Sequence, residues 1–379
     1  MSDWLEELGR LDSEAHRRQF VGPAVIYGAG KIGKTVLAVL RKKGVQTVAF
    51  LDAFSSAQAI DGVPVRRVDD ASVPRSASVI VAVFNREKNA RFSEIQARLS
   101  AAGFSHVLSF EQFYLSCPED FSETFFWLAD PRFLIERANE VRAADALWAD
   151  APSRALFRNQ VGFRMTADER FRLDEFIDDR QYLPKDVPLS PPPYRFVDMG
   201  AFDGDTLSAM SALGARFESV WAFEPDMKNF RLLVDRVRRE GPFAERTVLF
   251  PCGVGRTCGA VVFCAEGAES SRASGLENNG TAGGQTLVPV VALDDVLHGF
   301  EPNYIKLDVE GYEAEALCGM RGTVESCRPM LAVSAYHRPE DLFALPLMLS
   351  RWNYPADFYL RTHMEHALET VLYAIPRAR

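Results

Sequence analysis

The chain is organised around FVDMGAFDGDT, residues 196–206. Its apolar start is typical of a buried parallel strand, and Gly200 and Gly204 let the backbone pass close under a ligand. Thr206 then begins a predicted helix whose free N–H groups point back at the glycine turn. In open α/β sheets such a turn lies at the carboxyl ends of the strands, where nucleotide-like ligands bind. The segment therefore predicts an α/β sheet with a ligand site at the end of this strand.

Two further acidic motifs follow later strands of the same predicted sheet. Glu224 comes after an apolar strand at residues 219–223, and it follows Asp198 at a spacing compatible with the offset of about 20 residues at which a carboxylate binds ribose hydroxyls. An acid in this place fits NAD and S-adenosylmethionine equally well. The third motif, IKLDVEGYE at residues 305–313, adds three carboxylates, which is more than a dinucleotide site requires.

The three motifs DxGxxxGxT (198–206), FEP (223–225) and IKLDVEGYE occur in this order along the chain. From about Gln181 to its C-terminus the chain resembles the FkbM family of S-adenosylmethionine-dependent methyltransferases. The resemblance implies a class I methyltransferase domain that O-methylates a hydroxyl of a carbohydrate or secondary metabolite. Phe202 stands where most class I enzymes have a third glycine, and this departure weakens the generic motif more than the family likeness.

The motif positions also predict the cofactor site. Asp198 is expected to orient the turn or to accept a hydrogen bond from the cofactor's amino group, and Glu224 to bind the ribose hydroxyls. The segment that follows the third predicted strand is expected to place its backbone groups near the adenine of the cofactor. The predicted cofactor-binding residues are Asp198, Gly200, Gly204, Glu224, Gly253 and Val254.

Asp308, Glu310 and His337 are the predicted catalytic residues. An acid that ends a buried apolar strand must be solvated by something in the cleft, which favours a functional role for Asp308. The resemblance to class I methyltransferases implies that this role is that of a general base or of a divalent-metal ligand, and Lys306, inside the same strand, is expected to neutralise Asp308. Glu310 and Glu313 fall in the predicted first turn of the next helix, where a carboxylate also favours the helix dipole. His337 follows the fifth strand and titrates near neutral pH, which makes it a second candidate base.

Two other groups are predicted near the pocket. Gln181 and Tyr182 either line the cofactor or substrate pocket or serve only to pack the core, and the residue pattern does not decide between these two roles. Ser270, Ser271 and Arg272 lie in a long polar loop over the strand ends and are predicted substrate contacts.

The N-terminal region carries another glycine turn, GAGKIG at residues 28–33, between a predicted strand and helix. An acid follows at the spacing found in dinucleotide folds. Residues 21–115 resemble the nucleotide-sugar-binding domain of bacterial sugar acetyltransferases (YGAGKIG, FLDA and DGVPV). The motif is either a nucleotide or nucleotide-sugar site or a structural turn without a ligand. The residues concerned are Gly28, Gly30, Gly33 and Asp52.

The order of strands and helices predicts an α/β protein with two Rossmann-like domains joined by a helical connector. The predicted strands at residues 357–361 and 370–375 are joined by a connection short enough only for an antiparallel return. A mostly parallel sheet with an antiparallel terminal hairpin is typical of class I methyltransferases. The predicted bounds are 1–118 for the N-terminal domain, 119–190 for the connector and 191–379 for the methyltransferase domain.

Net charge and the distribution of apolar residues limit the partners and the location that we expect for this protein. A net charge of −9 gives no general affinity for nucleic acid or for an anionic membrane. No segment approaches the roughly 18 apolar residues of a spanning helix, and no signal peptide is visible, so a cytoplasmic protein is expected. The expected substrate is a small molecule or glycan, either free or nucleotide-linked, and the oligomeric state is left undefined. Two other classes stay open: an NAD-dependent oxidoreductase using GAGKIG, and a non-catalytic nucleotide-sugar-binding protein.

Overall fold

The computed structural model divides the chain into two compact units. The first unit comprises Met1–Ala138 and Asn159–Arg172, and the second comprises Asn139–Arg158 and Leu173–Arg379. The residues that the structure describes are 4–15, 22–83, 91–122, 125–171, 173–239, 244–264, 272–274 and 285–378. Within these ranges, no helix combines the length and the apolar character needed to cross a membrane.

The first unit is built on a small, mostly parallel sheet. Its elements, with two helices whose residues are divided between the units, are α1 (Trp4–Ala15), β1 (Ala24–Tyr27), α2 (Lys31–Lys42), β2 (Thr47–Leu51), β3 (Ala59–Ile60), β4 (Val63–Arg66), β5 (Ser78–Val81), α3 (Phe92–Ala101), β6 (Val107–Ser109), α4 (Phe110–Ser116), α5 (Arg132–Glu136), α6 (Ala138–Asp145) and α7 (Ala151–Thr166). The strand order is β3-β4-β2-β1-β5-β6, and among these neighbours β3 and β4 pair antiparallel while the others pair parallel.

The glycine turn of the first unit is shaped by close backbone packing. Gly28 has a φ of +106°, and a Cβ on Gly33 would lie 2.1 Å from the carbonyl oxygen of Gly28. α2 begins at Lys31, earlier than the predicted start at Lys34, because the Lys34 N–H donates to the carbonyl of Gly30 at 3.1 Å. The first and last glycines of the motif therefore let α2 pack closely on β1.

The second unit contains the larger sheet. Its elements are β7 (Tyr194–Met199), α8 (Asp205–Ala212), β8 (Phe217–Phe223), α9 (Met227–Arg239), β9 (Thr247–Phe250), β10 (Gly253–Val254), β11 (Gly259–Cys264), β12 (Arg272–Ser274), β13 (Gln285–Val291), α10 (Leu293–Val296), β14 (Tyr304–Leu307), α11 (Glu313–Cys318), α12 (Arg321–Cys327), β15 (Met330–Ser334), α13 (Asp341–Ser350), β16 (Ala356–Thr362) and β17 (Thr370–Pro376). Single 3₁₀ turns occupy Pro118–Asp120 and Glu169–Phe171 in the first unit, and Asp174–Phe176 and Ala244–Arg246 in the second.

The main sheet of the second unit has the strand order β16-β17-β15-β14-β7-β8-β9. β17 runs antiparallel to both β15 and β16, and the other neighbouring strands pair parallel. The predicted mostly parallel sheet with an antiparallel terminal hairpin is therefore confirmed, and with it the α/β fold class. The strand order reverses between β7 and β14, so their carboxyl ends form the crevice where open α/β sheets bind ligands.

A smaller sheet, ordered β10-β13-β11-β12, completes the second unit. The strands predicted at residues 259–264 and 286–292 correspond to β11 and β13, which pair antiparallel. β10 pairs parallel with β13 and holds the segment after β9 in place. This sheet was not predicted as a sheet, because two of its strands are only two and three residues long.

Two charged residues, Asp198 and Lys306, lie among the buried residues of the central strands β7 and β14. All four residues of β14 are buried, as are five of the six in β7, which is typical of central parallel strands. The rings of Phe196 and Tyr304 meet edge to face with 5.4 Å between their centroids. Asp198 on β7 lies beside Lys306 on β14 in the strand register. Buried charges are costly unless they are paired, so this position demands a specific contact.

Candidate active site

The turn after β7 is pressed against the end of β14. Gly200 has a φ of +83°, and a Cβ at this position would lie 1.8 Å from the carbonyl oxygen of Asp308. Gly204 has a φ of +86° and caps the start of α8. Glycine adopts such left-handed conformations without strain, so both predicted glycines occupy positions that the backbone requires. The turn brings the ends of the two central strands into contact.

Glu224 joins this turn to the end of β8. Its carboxylate is buried, and Oε2 accepts a hydrogen bond from the Phe202 N–H at 2.9 Å while Oε1 accepts one from the Asp226 N–H at 2.8 Å. Burial raises the pKa of Glu224 to about 7, against the lowering effect of these two donors. The predicted ribose-binding acid therefore lies against the glycine turn and titrates near neutral pH.

Asp198 and Lys306 form a buried ion pair behind the turn. Asp198 is completely buried, and Lys306 Nζ lies 3.0 Å from its Oδ1 and donates to the Gly200 carbonyl at 2.6 Å. Burial alone would lower the pKa of Lys306, but the carboxylates of Asp198 and Asp308 outweigh it and raise that pKa. Lys306 was expected to neutralise Asp308, yet its direct ion pair is with Asp198, because the two residues face each other across β7 and β14.

The predicted Gln-Tyr pair is connected to the strand ends through hydrogen bonds. The Tyr182 hydroxyl donates to Asp308 Oδ2 at 3.1 Å, and the Tyr182 carbonyl accepts a hydrogen bond from the Tyr304 hydroxyl. Burial raises the pKa of Tyr182 well above its usual value, so its hydroxyl remains a donor. Gln181 Nε2 donates to Glu369 Oε2 at 2.7 Å. Both residues therefore lie beside the acids at the carboxyl end of the sheet.

Four residues, Asp308, Glu310, Glu313 and His337, form what we call the His337 cluster. Glu313 Oε1 lies 2.8 Å from His337 Nδ1, and on the other side of the ring Nε2 lies 3.5 Å from Asp308 Oδ1 and 3.6 Å from Glu310 Oε2. The expectation that Glu310 belongs to the first turn of a helix is wrong: α11 begins at Glu313, and Glu310 lies in the preceding turn with a φ of +53°. That left-handed turn allows Glu310 and Glu313 to approach the same ring.

Burial and the crowding of acids set the protonation states in the cluster. Burial raises the pKa of Glu310 to about 7. Burial alone would lower the pKa of His337, but the carboxylates of Glu313, Glu310 and Asp308 outweigh it and raise the pKa to about 10. At neutral pH His337 therefore carries a positive charge as long as nothing else binds its ring nitrogens.

Two acids near the cluster were not predicted from the sequence. Asp341 is buried at the start of α13, and burial raises its pKa to about 8. Glu369 is buried just before β17, where its Oε1 accepts from the Tyr336 hydroxyl at 3.2 Å. Asp341 follows the predicted His337 closely in sequence, but Glu369 reaches the site only through the return of the terminal hairpin.

The remaining predicted residues of the second unit lie partly near the site and partly outside the described residues. Gly253 and Val254 form β10, and a Cβ on Gly253 would lie 3.9 Å from the Cβ of Pro225, which follows Glu224 directly. The structure therefore brings β10 to the end of β8, and the contact of Gly253 and Val254 with the adenine stays a prediction. Ser270, Ser271 and the side chain of Arg272 lie outside the described residues.

In the first unit, the carboxylate of Asp52 is engaged by backbone donors. Its Oδ2 accepts from the Ala29 N–H at 2.8 Å, and its Oδ1 accepts from the N–H groups of Phe54 and Ser55 at 2.8 and 2.9 Å. A Cβ on Gly30 would meet no atom within 4 Å, so this glycine faces open space. Asp52 thus holds the glycine turn together, whether or not the turn binds a ligand.

Comparisons with known proteins concern the family of residues 198–356 and the fold of the chain. Residues 198–356 match the family model described as the methyltransferase FkbM domain. The crystal structure of the methyltransferase FkbM from Methylobacillus flagellatus KT is similar over 98% of this chain and 98% of that chain, with a TM-score of 0.76 and 22% sequence identity. The match to an rRNA methylase from Streptococcus thermophilus covers 55% of this chain and 92% of that chain, with 13% sequence identity. Its TM-score is only 0.31, so no structural conclusion follows from it.

Among curated proteins none matches the sequence. The likeness of the first unit to the nucleotide-sugar-binding domain of sugar acetyltransferases is not confirmed by these matches and stays a prediction. Residues 198–356 thus match a methyltransferase domain of the FkbM family, and a solved FkbM methyltransferase shares the fold of the chain as a whole.

Proposed function

We propose that the protein is an S-adenosylmethionine-dependent O-methyltransferase whose acceptor is a hydroxyl of a carbohydrate or secondary metabolite. The observation that carries this proposal is the contact between the Gly200 turn and Asp308, with Glu224 hydrogen-bonded to the same turn. Donor-binding residues and acids able to take a proton thereby meet at one point of the sheet. The FkbM domain match supports a methyltransferase, and the oxygen acceptor is the further step of the proposal.

The residues at the turn fit the methyl donor. Glu224 offers a buried carboxylate whose two oxygens each receive one backbone N–H, which leaves acceptor capacity for ribose hydroxyls. Gly200 and Gly204 leave room for close approach, Asp198 fixes the turn through Lys306, and Gly253 and Val254 lie beside the end of β8. When bound, S-adenosylmethionine supplies a methyl group on a positively charged sulfur.

The acids of the His337 cluster fit the proton transfer that the reaction needs. The bond from the acceptor oxygen to the methyl carbon forms as the sulfur–carbon bond breaks, and the hydroxyl proton must leave. An imidazolium has no lone pair with which to take it, so the proton acceptor is a carboxylate, Asp308 or Glu310, rather than His337. Alignment supplies up to about 7–11 kcal/mol in favourable systems, and a general base adds about 10²–10⁴-fold.

The first unit is the proposed site for a nucleotide-linked part of the substrate. The open space at Gly30 beside the start of α2 supports this, since the first N–H groups of a helix are unpaired and favour anions. Asp52 would act there by holding the turn, because its carboxylate already accepts hydrogen bonds from backbone N–H groups.

One calorimetric series tests the proposal. Full-length protein is titrated with S-adenosylmethionine, S-adenosylhomocysteine, NADH and a panel of UDP-sugars. Binding of S-adenosylmethionine and S-adenosylhomocysteine, together with no binding of NADH, supports the methyltransferase. Binding of NADH alone would instead indicate an oxidoreductase, and binding of a UDP-sugar alone a non-catalytic sugar-nucleotide protein.

Replacing Glu224 with alanine is expected to weaken S-adenosylhomocysteine binding by about 1.5–3 kcal/mol, the range for hydrogen bonds to a charged group. The matched control is on the ligand: an analogue without the two ribose hydroxyls should bind wild type and variant alike. Calorimetry at pH 8 measures both ligands, and thermal unfolding checks that the variant is folded. Equal loss for both ligands would mean that the ribose lies elsewhere.

The affinity for S-adenosylhomocysteine is expected to fall as the pH drops below about 7. Burial raises the pKa of Glu224 to about 7, so acidification protonates the carboxylate in the free protein and removes the charged acceptor. Above that pH the carboxylate is ionised and the affinity should level off. Titrations with S-adenosylhomocysteine between pH 6 and pH 9 measure how the affinity depends on pH. The Glu224→Ala variant is the control: it should lose the part of the pH dependence that comes from Glu224 and keep any part that comes from other groups.

A further inference from the structure

The backbone of Tyr182 adopts a conformation that aromatic residues rarely adopt. Its φ is +66°, in the left-handed region that favours glycine. Such a conformation is strained in other residues and persists only where surrounding contacts fix it. Residues held in this way cluster at active sites and ligand-binding turns.

Two tyrosine hydroxyls from the sheet fix the backbone of Tyr182. Its N–H donates to the Tyr373 hydroxyl of β17 at 2.9 Å, and its carbonyl accepts from the Tyr304 hydroxyl of β14. Burial lowers the pKa of His363, so its ring is neutral at pH 7. Its Nδ1, 2.7 Å from the Asp178 carbonyl oxygen, therefore carries the hydrogen, and its Nε2 accepts from the Tyr373 hydroxyl at 2.9 Å. Tyr182 is thus tied by hydrogen bonds to two strands of the sheet.

The side chain of Tyr182 contacts both halves of the candidate site. Its hydroxyl donates to Asp308 Oδ2 at 3.1 Å, while Asp308 Oδ1 lies 3.5 Å from His337 Nε2. The Lys306 ammonium, which holds the Gly200 turn, lies 5.6 Å from the centre of the Tyr182 ring, within the range of a cation–π contact. One buried side chain therefore joins the turn predicted to bind the methyl donor to an acid proposed to take the proton.

The Tyr182 hydroxyl is suited to orient a carboxylate while keeping its own proton. Burial raises the pKa of Tyr182 well above its usual value, so the hydroxyl acts as a donor. A donor on one oxygen and a histidine ring beside the other fix the plane of the Asp308 carboxylate. Glu310 differs, because no described residue donates a hydrogen bond to its Oε2. A general base must lie within about 2.6–3.2 Å of the proton that it takes, which favours the oriented acid.

We propose that Tyr182 is a positioning residue that holds Asp308 in the orientation in which its carboxylate takes the proton of the acceptor hydroxyl. The inference rests on the proposed methyltransferase function. The bond between the acceptor oxygen and the methyl carbon forms as the sulfur–carbon bond breaks, and the hydroxyl proton passes to Asp308. Tyr182 keeps its proton throughout and acts only through Asp308, so Asp308 rather than Glu310 is the proton acceptor.

Tyr182→Phe removes the hydroxyl and keeps the ring, and it is expected to lower kcat by about 10–100-fold, as for a lost hydrogen bond to a charged group that aligns a reacting atom. The KM of the acceptor and the affinity for S-adenosylhomocysteine should stay close to wild type. Methyl transfer to an acceptor found by screening hydroxylated compounds measures the rate, and thermal unfolding checks the fold. Tyr359→Phe, a matched change at a half-buried position on β16, should keep the wild-type rate.

A double variant separates positioning from packing. If Tyr182 acts through Asp308, adding Tyr182→Phe to Asp308→Asn should slow the reaction no further, because the group that the hydroxyl orients can no longer take a proton. Losses that multiply in the double variant would overturn the proposal, and so would a Tyr182→Phe variant that keeps the wild-type rate.

Tyr304→Phe keeps the test decisive even if Tyr182→Phe fails to fold. It removes the donor to the Tyr182 carbonyl and leaves Tyr182 itself unchanged. It should also lower kcat, by a smaller factor, and this loss should again disappear in the Asp308→Asn background. A loss of equal size in both backgrounds would contradict the proposal.

A measurement that needs no acceptor tests the contact itself. Nuclear magnetic resonance of protein with isotope-labelled aspartate carboxyl groups identifies the Asp308 signal by its loss in Asp308→Asn. That signal should move in Tyr182→Phe and stay in place in Tyr359→Phe. An unmoved signal in Tyr182→Phe would overturn the proposal whether or not an acceptor is known. S-adenosylhomocysteine binding reports on the methyl-donor site by itself, so failure of the positioning proposal and failure of the methyltransferase proposal give different results.

Discussion

Replacing Lys306 with methionine is expected to destabilise the folded protein by about 3–5 kcal/mol, the range for breaking a buried ion pair on one side. Methionine fills a similar volume but leaves the Asp198 carboxylate in the core without its cation, 3.0 Å from where Nζ was. It also removes the hydrogen bond to the Gly200 carbonyl, so the turn loses its anchor. Equilibrium unfolding in urea measures the change.

A double variant separates the charge effect from packing. Lys306→Met combined with Asp198→Asn removes both charges, and its destabilisation should be smaller than the sum of the two single changes. Lys228→Met, a matched change at an exposed position, should alter stability by less than about 0.5 kcal/mol. If the single Lys306 variant were as stable as wild type, the ion pair would not be holding the turn.

Replacing Asp308 with asparagine is expected to lower kcat by about 10²–10⁴-fold, the contribution of a general base. Asparagine keeps the shape of the side chain, and its carbonyl oxygen can still accept a hydrogen bond from the Tyr182 hydroxyl, but it cannot take a proton. S-adenosylhomocysteine release, measured with an acceptor found by screening hydroxylated compounds, gives the rate.

The donor site supplies the control for this loss. Binding of S-adenosylhomocysteine to the Asp308 variant should stay close to wild type, because the variant leaves Glu224 and the glycine turn intact. Asp179→Asn, at an exposed position, should keep full activity. An unchanged rate in the Asp308 variant would mean that another residue accepts the proton, and Glu310 would then be the first candidate.

Local patterns were enough to predict the sheet of the second unit. Apolar runs marked β7, β8 and β14 because strands buried on both faces are apolar along their whole length. The short connection before β17 left only an antiparallel return, which the pairing of β16 with β17 confirms. Element ends were less exact, since the start of α2 depends on a hydrogen bond to Gly30 that no residue pattern encodes.

The partners within the candidate site were harder to predict. Lys306 was predicted to neutralise Asp308, which is close to it in sequence. In the structure, the strand register instead places Lys306 beside Asp198, and these two residues form the ion pair. Gln181 meets Glu369 across 188 residues of chain, so only the complete fold brings them together. His337 was predicted as a base from the usual pKa of histidine, but three nearby carboxylates raise that pKa to about 10.

The sequence by itself determined which residues end the strands, and hence that Asp198, Glu224, Asp308 and His337 gather near one edge of a parallel sheet. Strand ends follow from hydrophobic pattern and turn residues, which are local properties. Only the tertiary structure decided which charges face each other and which way the His337 ring points. Those outcomes depend on register and on distances of a few tenths of an ångström, and such distances arise from packing between segments that are remote in the chain.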